Sequence, residues 1–387
     1  MNGEYKLIID SIARSLGREL SVDNTDGIDF SRLYDMAASH SVTPLVYDGL
    51  KKLGVAIPDS INAAFAKSCR QYSMQYVMQD EQLMRITDSF ENNGIKNMPL
   101  KGSILRKMYP SPELRTSADI DILCDEDSDK AIEKLLVGLG YAVGETAAKD
   151  TSYLLPPTVN VEIHRSLMGD HPELEGDFAD VWDRVKLSDG KKYTYEMTNE
   201  DFYVYMVTHA AKHYLMGGMG IRFVVDIWVF NHYVGDNINN DIVESRLNEL
   251  GVLTFNEKIN QLACHWFSGA DADETVLALG DFICDFKIFG CTENRIAMQI
   301  AAIGKGGFTL SRIFPPYNIM YSFYPNLKGK KVLLPFYWVK RIFRALFNKN
   351  SKFFAESKIK STISEEKVNS VKALNEALGF NEKSLRY

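Results

Sequence analysis

The stretch from residue 100 to residue 123 constrains the fold more than any other part of the chain. It opens with a Lys-Gly-Ser run at 101–103, continues through a segment of helical character and a loop with two prolines, and ends in a strand-like Asp-Ile-Asp-Ile run at 119–122. Because side chains alternate between the two faces of a strand, Asp119 and Asp121 share one face and the isoleucines share the other. The stretch therefore predicts a strand with one apolar face in a core and one acidic face.

The acidic face predicts a metal site. Carboxylates held side by side repel each other, and crowding them is costly unless a cation lies between them. A second alternating run, at 159–164, places Glu162 and His164 on its polar face. Because Mg²⁺ prefers oxygen ligands, Asp119, Asp121 and Glu162 are the predicted metal ligands and catalytic residues of a phosphoryl or nucleotidyl transfer site using Mg²⁺ or Mn²⁺. Glu162 is also a candidate base for an incoming hydroxyl, and its alternative interpretation is a solvated strand residue.

The residues just before the acidic strand predict a phosphate-binding turn. Gly102 lets a backbone approach a phosphate closely, a new helix N-terminus offers free N–H groups, and Ser103 adds a hydroxyl donor. Such a pair alone is usually a simple turn, and its weight comes from its position before the acidic strand. Lys101 and Arg115 are further candidates for contacts with phosphate oxygens, and a surface lysine is an equal interpretation of Lys101.

A later helical pair predicts another wall of the site. His209 and His213 have the i, i+4 spacing of a zinc pair, but the glutamate of an HExxH motif is missing, which argues against a metalloprotease. With Arg222 and Asp226 on the next helix, they are predicted to line the nucleotide or acceptor pocket, which His164 also borders. The alternative is structural, with His213 hydrogen-bonded to Asp226 so that the two helices are clamped together.

These motifs together carry a family resemblance. The Gly-Ser pair, the spacer, the Asp-x-Asp strand and the later acidic strand resemble the DNA polymerase β-type nucleotidyltransferase superfamily. The flanking runs ADIDIL, VEIHRSL and HAAKH make the chain more similar to an uncharacterised bacterial nucleotidyltransferase family, over roughly residues 30–345. The resemblance implies a mixed-sheet nucleotidyltransferase core, Mg²⁺, an NTP donor with ATP favoured, and helical additions on both sides. It leaves the acceptor open.

Hydrophobic periodicity and turn residues divide the chain into four regions. An N-terminal helical region at 1–93 precedes the catalytic core at 94–195, which alternates strands and helices. A helical domain at 196–310 follows, with glycines at 304–307 predicted to mark a loop, and a basic, amphipathic tail occupies 311–387. The predicted fold class is α+β, a mixed β-sheet core with helical additions at both ends.

Composition limits the partners and the compartment. The net charge of −7 and the pI near 5.6 argue against a broad nucleic-acid footprint. The five scattered cysteines form no CxxC pair, which favours a reducing environment. The N-terminal residues lack a signal-peptide core, and no apolar run reaches the roughly 18 residues of a spanning helix, so we predict a cytoplasmic protein.

One segment of the tail has two interpretations. Residues 332–347 are apolar, aromatic and basic, so they could make peripheral contact with a membrane interface. The alternative is a helix that packs on the core and shows Lys340, Arg341 and Arg344 to water.

The sequence therefore predicts a Mg²⁺-dependent nucleotidyltransferase that moves an NMP from an NTP to an unidentified hydroxyl or phosphate acceptor and releases pyrophosphate. Two alternatives remain at this point. One is a regulatory or toxin–antitoxin-like protein that modifies a protein or RNA partner. The other is a catalytically inactive nucleotide-binding module.

Overall fold

The fold is that of a computed structural model, which describes residues 2–22, 24–147, 149–168, 174, 176–285, 292–317, 319–320, 324–327, 329–347 and 352–380. The chain divides into two compact units. The first comprises Met1–Lys212 and Met219–Ile288, and the second comprises His213–Gly218 and Phe289–Tyr387. The four-part division made from the sequence remains a prediction.

Four helices precede the sheet, as the periodicity predicts: α1 (Gly3–Ser15), α2 (Phe30–Ser39), α3 (Thr43–Lys52) and α4 (Asp59–Asn92). Side-chain caps begin the first two helices. The side chain of Asn2 accepts a hydrogen bond from the backbone of Tyr5, and that of Asp29 accepts two at the start of α2. The long α4 follows Pro58 and buries Ile86 and Phe90 completely. These two side chains belong to the core beneath the sheet.

A five-stranded mixed sheet forms the centre of the first unit. Its strands are β1 (Asn97–Pro99), β2 (Ile120–Cys124), β3 (Ala142–Thr146), β4 (Asp150–Leu155) and β5 (Val159–His164), in the order β1-β2-β5-β4-β3. β2 and β5 are parallel, and every other neighbouring pair is antiparallel. The short helix α5 (Gly102–Leu105) follows β1, and α6 (Asp129–Gly138) follows β2. The sheet and its flanking helices confirm the α+β class.

One face of β2 and β5 lies in the core. Ile120 and Ile122 from β2 and Val161 and Ile163 from β5 are at most 1% exposed. They cluster with apolar side chains of α4 and α6, among them Ile86, Phe90, Ile132 and Leu136. Because burial of apolar surface contributes about 25 cal/mol per Å², this packing fixes which face of each strand is apolar. The polar residues that alternate with these positions are thereby placed on the other face.

Helices complete both units. In the first unit α7 (Val181–Arg184), the β6–β7 hairpin (Lys186–Leu187 and Tyr195–Glu196), α9 (Ile221–Val234), α10 (Asn240–Glu249), α11 (Leu253–Ser268) and α12 (Glu274–Cys284) follow the sheet. Helix α8 (Asn199–Leu215) begins in the first unit, and its last residues are assigned to the second. The second unit continues with α13 (Thr292–Ile313), α14 (Leu334–Phe347), α15 (Lys352–Thr362) and α16 (Glu365–Ala377).

The loop predicted at residues 304–307 is reduced to a break at one residue. Two helical stretches of α13 meet at Gly304, whose φ of 71° and ψ of 164° are not helical. Glycine adopts this backbone conformation without a steric penalty, so it joins the two stretches at a kink. Among the described helices, none is both long enough and apolar enough to cross a bilayer.

Candidate active site

The parallel strands β2 and β5 bring two carboxylates and one imidazole, those of Asp121, Glu162 and His164, close together. Asp121 lies opposite Glu162 in the strand register, and Leu123 lies opposite His164. One ligand atom from each of Asp121, Glu162 and His164 falls within 4.8 Å of the others. Asp121 is buried, whereas the Glu162 side chain is 32% exposed. The arrangement combines one buried carboxylate with one that is partly exposed.

Asp121 accepts hydrogen bonds from two neighbouring side chains. Its Oδ1 lies 2.9 Å from Lys101 Nζ and 2.6 Å from His164 Nε2. Burial alone would raise the pKa of Asp121, but the Lys101 ammonium and the hydrogen bond from His164 hold that pKa well below its usual range. Since an ionised carboxylate can only accept, Nε2 of His164 carries the proton in this arrangement. His164 therefore orients Asp121 through its N–H.

Asp119 lies one residue before β2 and adds negative charge to the same region. Burial, followed by the nearby charges of Asp121 and Glu162, raises the pKa of Asp119 to about 6, against the opposing effect of Lys101 and Arg222. The three ligand atoms that lie close together belong to Asp121, Glu162 and His164, whereas the sequence predicts Asp119 as the third metal ligand in place of His164. Three carboxylates that interact in this way favour the approach of a cation.

The turn before α5 is tightly packed around Gly102. Lys101 has φ 42° and ψ −110°, an uncommon conformation for a residue with a side chain. A Cβ added to Gly102 would lie 2.5 Å from Ser117 Oγ and 2.8 Å from Arg115 Nη1. Ser103 is buried beside it. A Cβ at residue 102 would therefore force Ser117 or Arg115 to move. The uncommon backbone conformation of Lys101 accompanies the contact of its ammonium with Asp121.

A buried ion pair holds Arg115. Its Nε and Nη2 donate to the two carboxylate oxygens of Asp226 at 2.8 and 2.9 Å, and the Tyr109 hydroxyl donates to the same carboxylate at 2.6 Å. Burial by itself lowers the pKa of Arg115, but the Asp226 carboxylate raises it, so the guanidinium stays charged. Arg115 Nη1 is buried and has no hydrogen-bond partner among the described residues.

Arg222 adds a second buried guanidinium beside this pair. Its Nη1 donates to the backbone oxygen of Thr116 at 3.2 Å, and its Nε is buried without a hydrogen-bond partner in the described part of the chain. Burial and then the charge of Arg115 lower the pKa of Arg222. Two buried cations with unmatched N–H groups make this side of the site suited to an anion.

The histidine pair on α8 is divided by the structure. His209 lies in the first unit, with its ring centroid 5.9 Å from those of Tyr205 and Phe223. His213 is assigned to the second unit. Neither belongs to a group of three metal-type ligands among the residues that the structure describes. The predicted roles of these two histidines at a nucleotide or acceptor pocket remain predictions.

Tyr109 was missed as a site residue. The sequence places it in the spacer between the glycine turn and the acidic strand. Its role depends on Asp226, which is 117 positions later in the chain. No local signal could have linked them, because periodicity and turn chemistry report only on near neighbours.

Comparison with known families shows the family of the chain. A family model described as "Uncharacterised nucleotidyltransferase" matches residues 26–268. Since the match covers more than half of the chain, the protein belongs to this nucleotidyltransferase family. No curated protein and no solved structure matches the chain. The matched range contains every candidate site residue named above.

Proposed function

We propose that the protein is a divalent-metal-dependent nucleotidyltransferase that transfers an NMP from an NTP to a hydroxyl or phosphate acceptor and releases pyrophosphate. The observation that carries the proposal is the convergence of Asp121, Glu162 and His164 on two adjacent parallel strands, beside the charge of Asp119. Membership of a nucleotidyltransferase family supports the reaction class. The order of the glycine turn and the two acidic strands supports a place in the polymerase β-type superfamily.

The residues present fit a bound Mg²⁺ or Mn²⁺. Asp119, Asp121 and Glu162 would hold the metal through oxygen atoms, which both ions accept. The Lys101 ammonium already lies 2.9 Å from Asp121 Oδ1, so this carboxylate stabilises positive charge at that point. When bound, the metal would neutralise phosphate charge and polarise the reacting phosphoryl group. His164 keeps Asp121 oriented by donating its Nε2–H.

The glycine turn would bind the phosphates of the donor. Lys101 can exchange its carboxylate partner for phosphate oxygens, because a flexible ammonium binds either anion. Gly102 keeps Ser117 and Arg115 close to the turn, and Ser103 offers its hydroxyl. The favoured first donor is ATP.

The buried cations would complete the nucleotide pocket. Asp226 fixes the orientation of Arg115 through two hydrogen bonds and leaves Nη1 for a phosphate oxygen. Arg222 provides a second such N–H. His209, in the same unit, is proposed to contribute to the wall of the nucleotide or acceptor pocket.

The chain's own part in the chemistry is positioning and proton transfer. For a hydroxyl acceptor, its oxygen forms a bond to the α-phosphorus of the NTP while the bond from that phosphorus to the bridging oxygen breaks. The electron pair leaves with pyrophosphate, and Glu162, the more exposed carboxylate, accepts the hydroxyl proton.

The test uses the purified protein with each α-labelled NTP, Mg²⁺ or Mn²⁺ and a cell extract as the acceptor pool. We expect a labelled product, with pyrophosphate release, that falls by at least about a hundredfold, ~2.7 kcal/mol, in Asp121→Asn and Glu162→Gln. Glu145→Gln, on the exposed edge of the same sheet, is the matched control and should retain transfer. Label on protein or RNA would identify a macromolecular acceptor.

Metal binding gives the proposal a second readout. Mn²⁺ binding, measured by titration calorimetry, should be lost or greatly weakened in Asp119→Asn and Asp121→Asn and kept in the Glu145→Gln control. If both Asn variants bind Mn²⁺ and transfer label as the unmodified protein does, the assignment fails. Nucleotide binding without any transfer would instead support an inactive binding module.

A further inference from the structure

Helix α14 and the turn before it expose an apolar stripe. Val332, Phe336, Val339 and Phe343 are 91%, 65%, 51% and 57% exposed. These positions recur at intervals of four, three and four residues, so they lie on one narrow helical face. Contiguous apolar surface of this kind is typical of an interaction site on an otherwise polar protein. The helix packs through another face and shows Lys340 and Arg344 to water, as the second interpretation expected, but these four apolar side chains are exposed.

The other side of the helix is held by the second unit. Trp338 Nε1 donates to the backbone oxygen of Pro315 at 2.8 Å, and its ring packs edge to face on Phe314, with centroids 5.3 Å apart. Arg341 donates to the backbone oxygen of Arg312. Trp338 and Arg341 lie across the helix from the stripe. The stripe is therefore presented by a helix that is anchored through its opposite face.

The surrounding sequence is strongly basic. Residues 294–355 contain eleven lysines and arginines and no aspartate or glutamate, in a chain whose net charge is −7. Lys340 and Arg344 are exposed on the helix itself, and Lys330 and Lys331 are exposed just before it. Arg295 and Arg312 are paired with Glu356, so the positive charge next to the apolar stripe is that of these four exposed side chains.

We propose that α14 binds the surface of an anionic lipid bilayer. The stripe would enter the boundary between headgroups and acyl chains, and the four exposed cations would contact lipid phosphates. Charge complementarity favours this occupant over a second copy of the chain, because pairing two such stripes would bring two basic regions together. The proposal concerns a surface outside the candidate active site and does not depend on the transfer reaction.

Co-sedimentation of the full chain with vesicles tests this inference. The vesicles contain either phosphatidylcholine alone or phosphatidylcholine mixed with phosphatidylglycerol. We expect binding to the anionic vesicles, weaker binding at high salt, and little binding to the neutral ones. The double variant Phe336→Ser with Val339→Ser should reduce the affinity for anionic vesicles at least tenfold. Lys340→Gln with Arg344→Gln should weaken it as well, with a smaller salt dependence.

The matched control places the same substitutions on another exposed apolar pair. Met74 and Val77 on α4 are 66% and 60% exposed, so Met74→Ser with Val77→Ser should leave vesicle binding unchanged. Circular dichroism checks that every variant is folded. Absence of binding to anionic vesicles, or equal binding by the Phe336→Ser, Val339→Ser variant, overturns the proposal. An oligomer that dissociates in that variant, without vesicle binding, overturns it in favour of self-association.

Discussion

Replacing Lys101 by methionine tests whether its ammonium occupies the position of a metal cation. In the structure Nζ lies 2.9 Å from Asp121 Oδ1, and the Lys101 side chain is only 24% exposed. At an effective dielectric constant of about 20, two unit charges at this distance attract by ~6 kcal/mol, most of which is offset by their desolvation. A metal that binds Asp121 must displace this ammonium and therefore competes with it.

We expect Lys101→Met to bind Mn²⁺ about ten- to a hundredfold more tightly in the absence of nucleotide, because the ammonium no longer competes for Asp121. This change corresponds to ~1.4–2.7 kcal/mol in the free energy of Mn²⁺ binding. Methionine keeps the length of the side chain and removes only the charge and its hydrogen bond. The same variant should bind NTP more weakly, since the ammonium is then missing from the phosphates. Titration calorimetry with Mn²⁺ alone, and then with NTP, measures both effects.

The matched control is Lys107→Met, because Lys107 is exposed and has no carboxylate partner among the described residues. It should change neither affinity. If Lys101→Met binds Mn²⁺ equally or more weakly than the unmodified protein while remaining folded, the ammonium and the metal do not share a position. The contact of Lys101 with Asp121 would then be purely structural, and its contact with phosphate would be judged from the NTP titration alone.

Three further predictions concern stability. Gly102→Ala places a Cβ 2.5 Å from the nearest side-chain oxygen, so we expect the free energy of unfolding, measured with denaturant, to fall by about 1–3 kcal/mol. Gly138→Ala, which has open space around its Cβ, should be neutral or stabilising. Equal effects of the two substitutions would show that the packing around Gly102 does not matter. Asp226→Asn leaves the buried guanidinium of Arg115 without a counter-charge, so the free energy of unfolding should fall by about 3–5 kcal/mol. Tyr109→Phe removes only one hydrogen bond and should lower it by about 1 kcal/mol. A larger loss in Tyr109→Phe than in Asp226→Asn would contradict the importance of the ion pair. Burial lowers the pKa of His40 to about 4, whereas the pKa of a histidine in the unfolded chain is ~6.5. Between these two pH values the unfolded state binds a proton that the folded state excludes. The free energy of unfolding should therefore fall by up to roughly 3 kcal/mol as the pH drops from ~6.5 to ~4. His40→Asn, which keeps an acceptor for the backbone N–H, should show a shallower loss over that window in denaturant titrations, and an unchanged slope would rule out His40 as the cause.

The strands of the candidate site are predictable because their signal is local. Alternation assigns Ile120 and Ile122 to a core and Asp121 to the opposite face, and the same rule places Glu162 on the polar face of its strand. The structure has both strands in one sheet with this division of faces. The glycines at 304–307 show where such a prediction is inexact, because only Gly304 leaves the helical conformation and the chain is helical on both sides of it.

The pairings within the site are not predictable in this way. Arg115 was assigned to phosphate and Asp226 to a pocket wall or a helix clamp, and the structure joins them across 111 positions. The contact between the Lys101 ammonium and Asp121 likewise depends on the pairing of β1 with β2 and on the turn at 101–102. Each of these contacts depends on the register of strands and the packing of helices that are distant in the chain.

The sequence by itself determined the mixed α+β class, the acidic face of β2, the polar face of β5 and the amphipathic character of residues 332–347. These follow from periodicity, which acts between neighbours. Only the tertiary structure decided that Asp121 lies opposite Glu162, that Lys101 and His164 hold Asp121, and which residues of α14 are exposed. The reason is that register, burial and charge pairing are set by the joint packing of many elements, whose free energy no single segment contains.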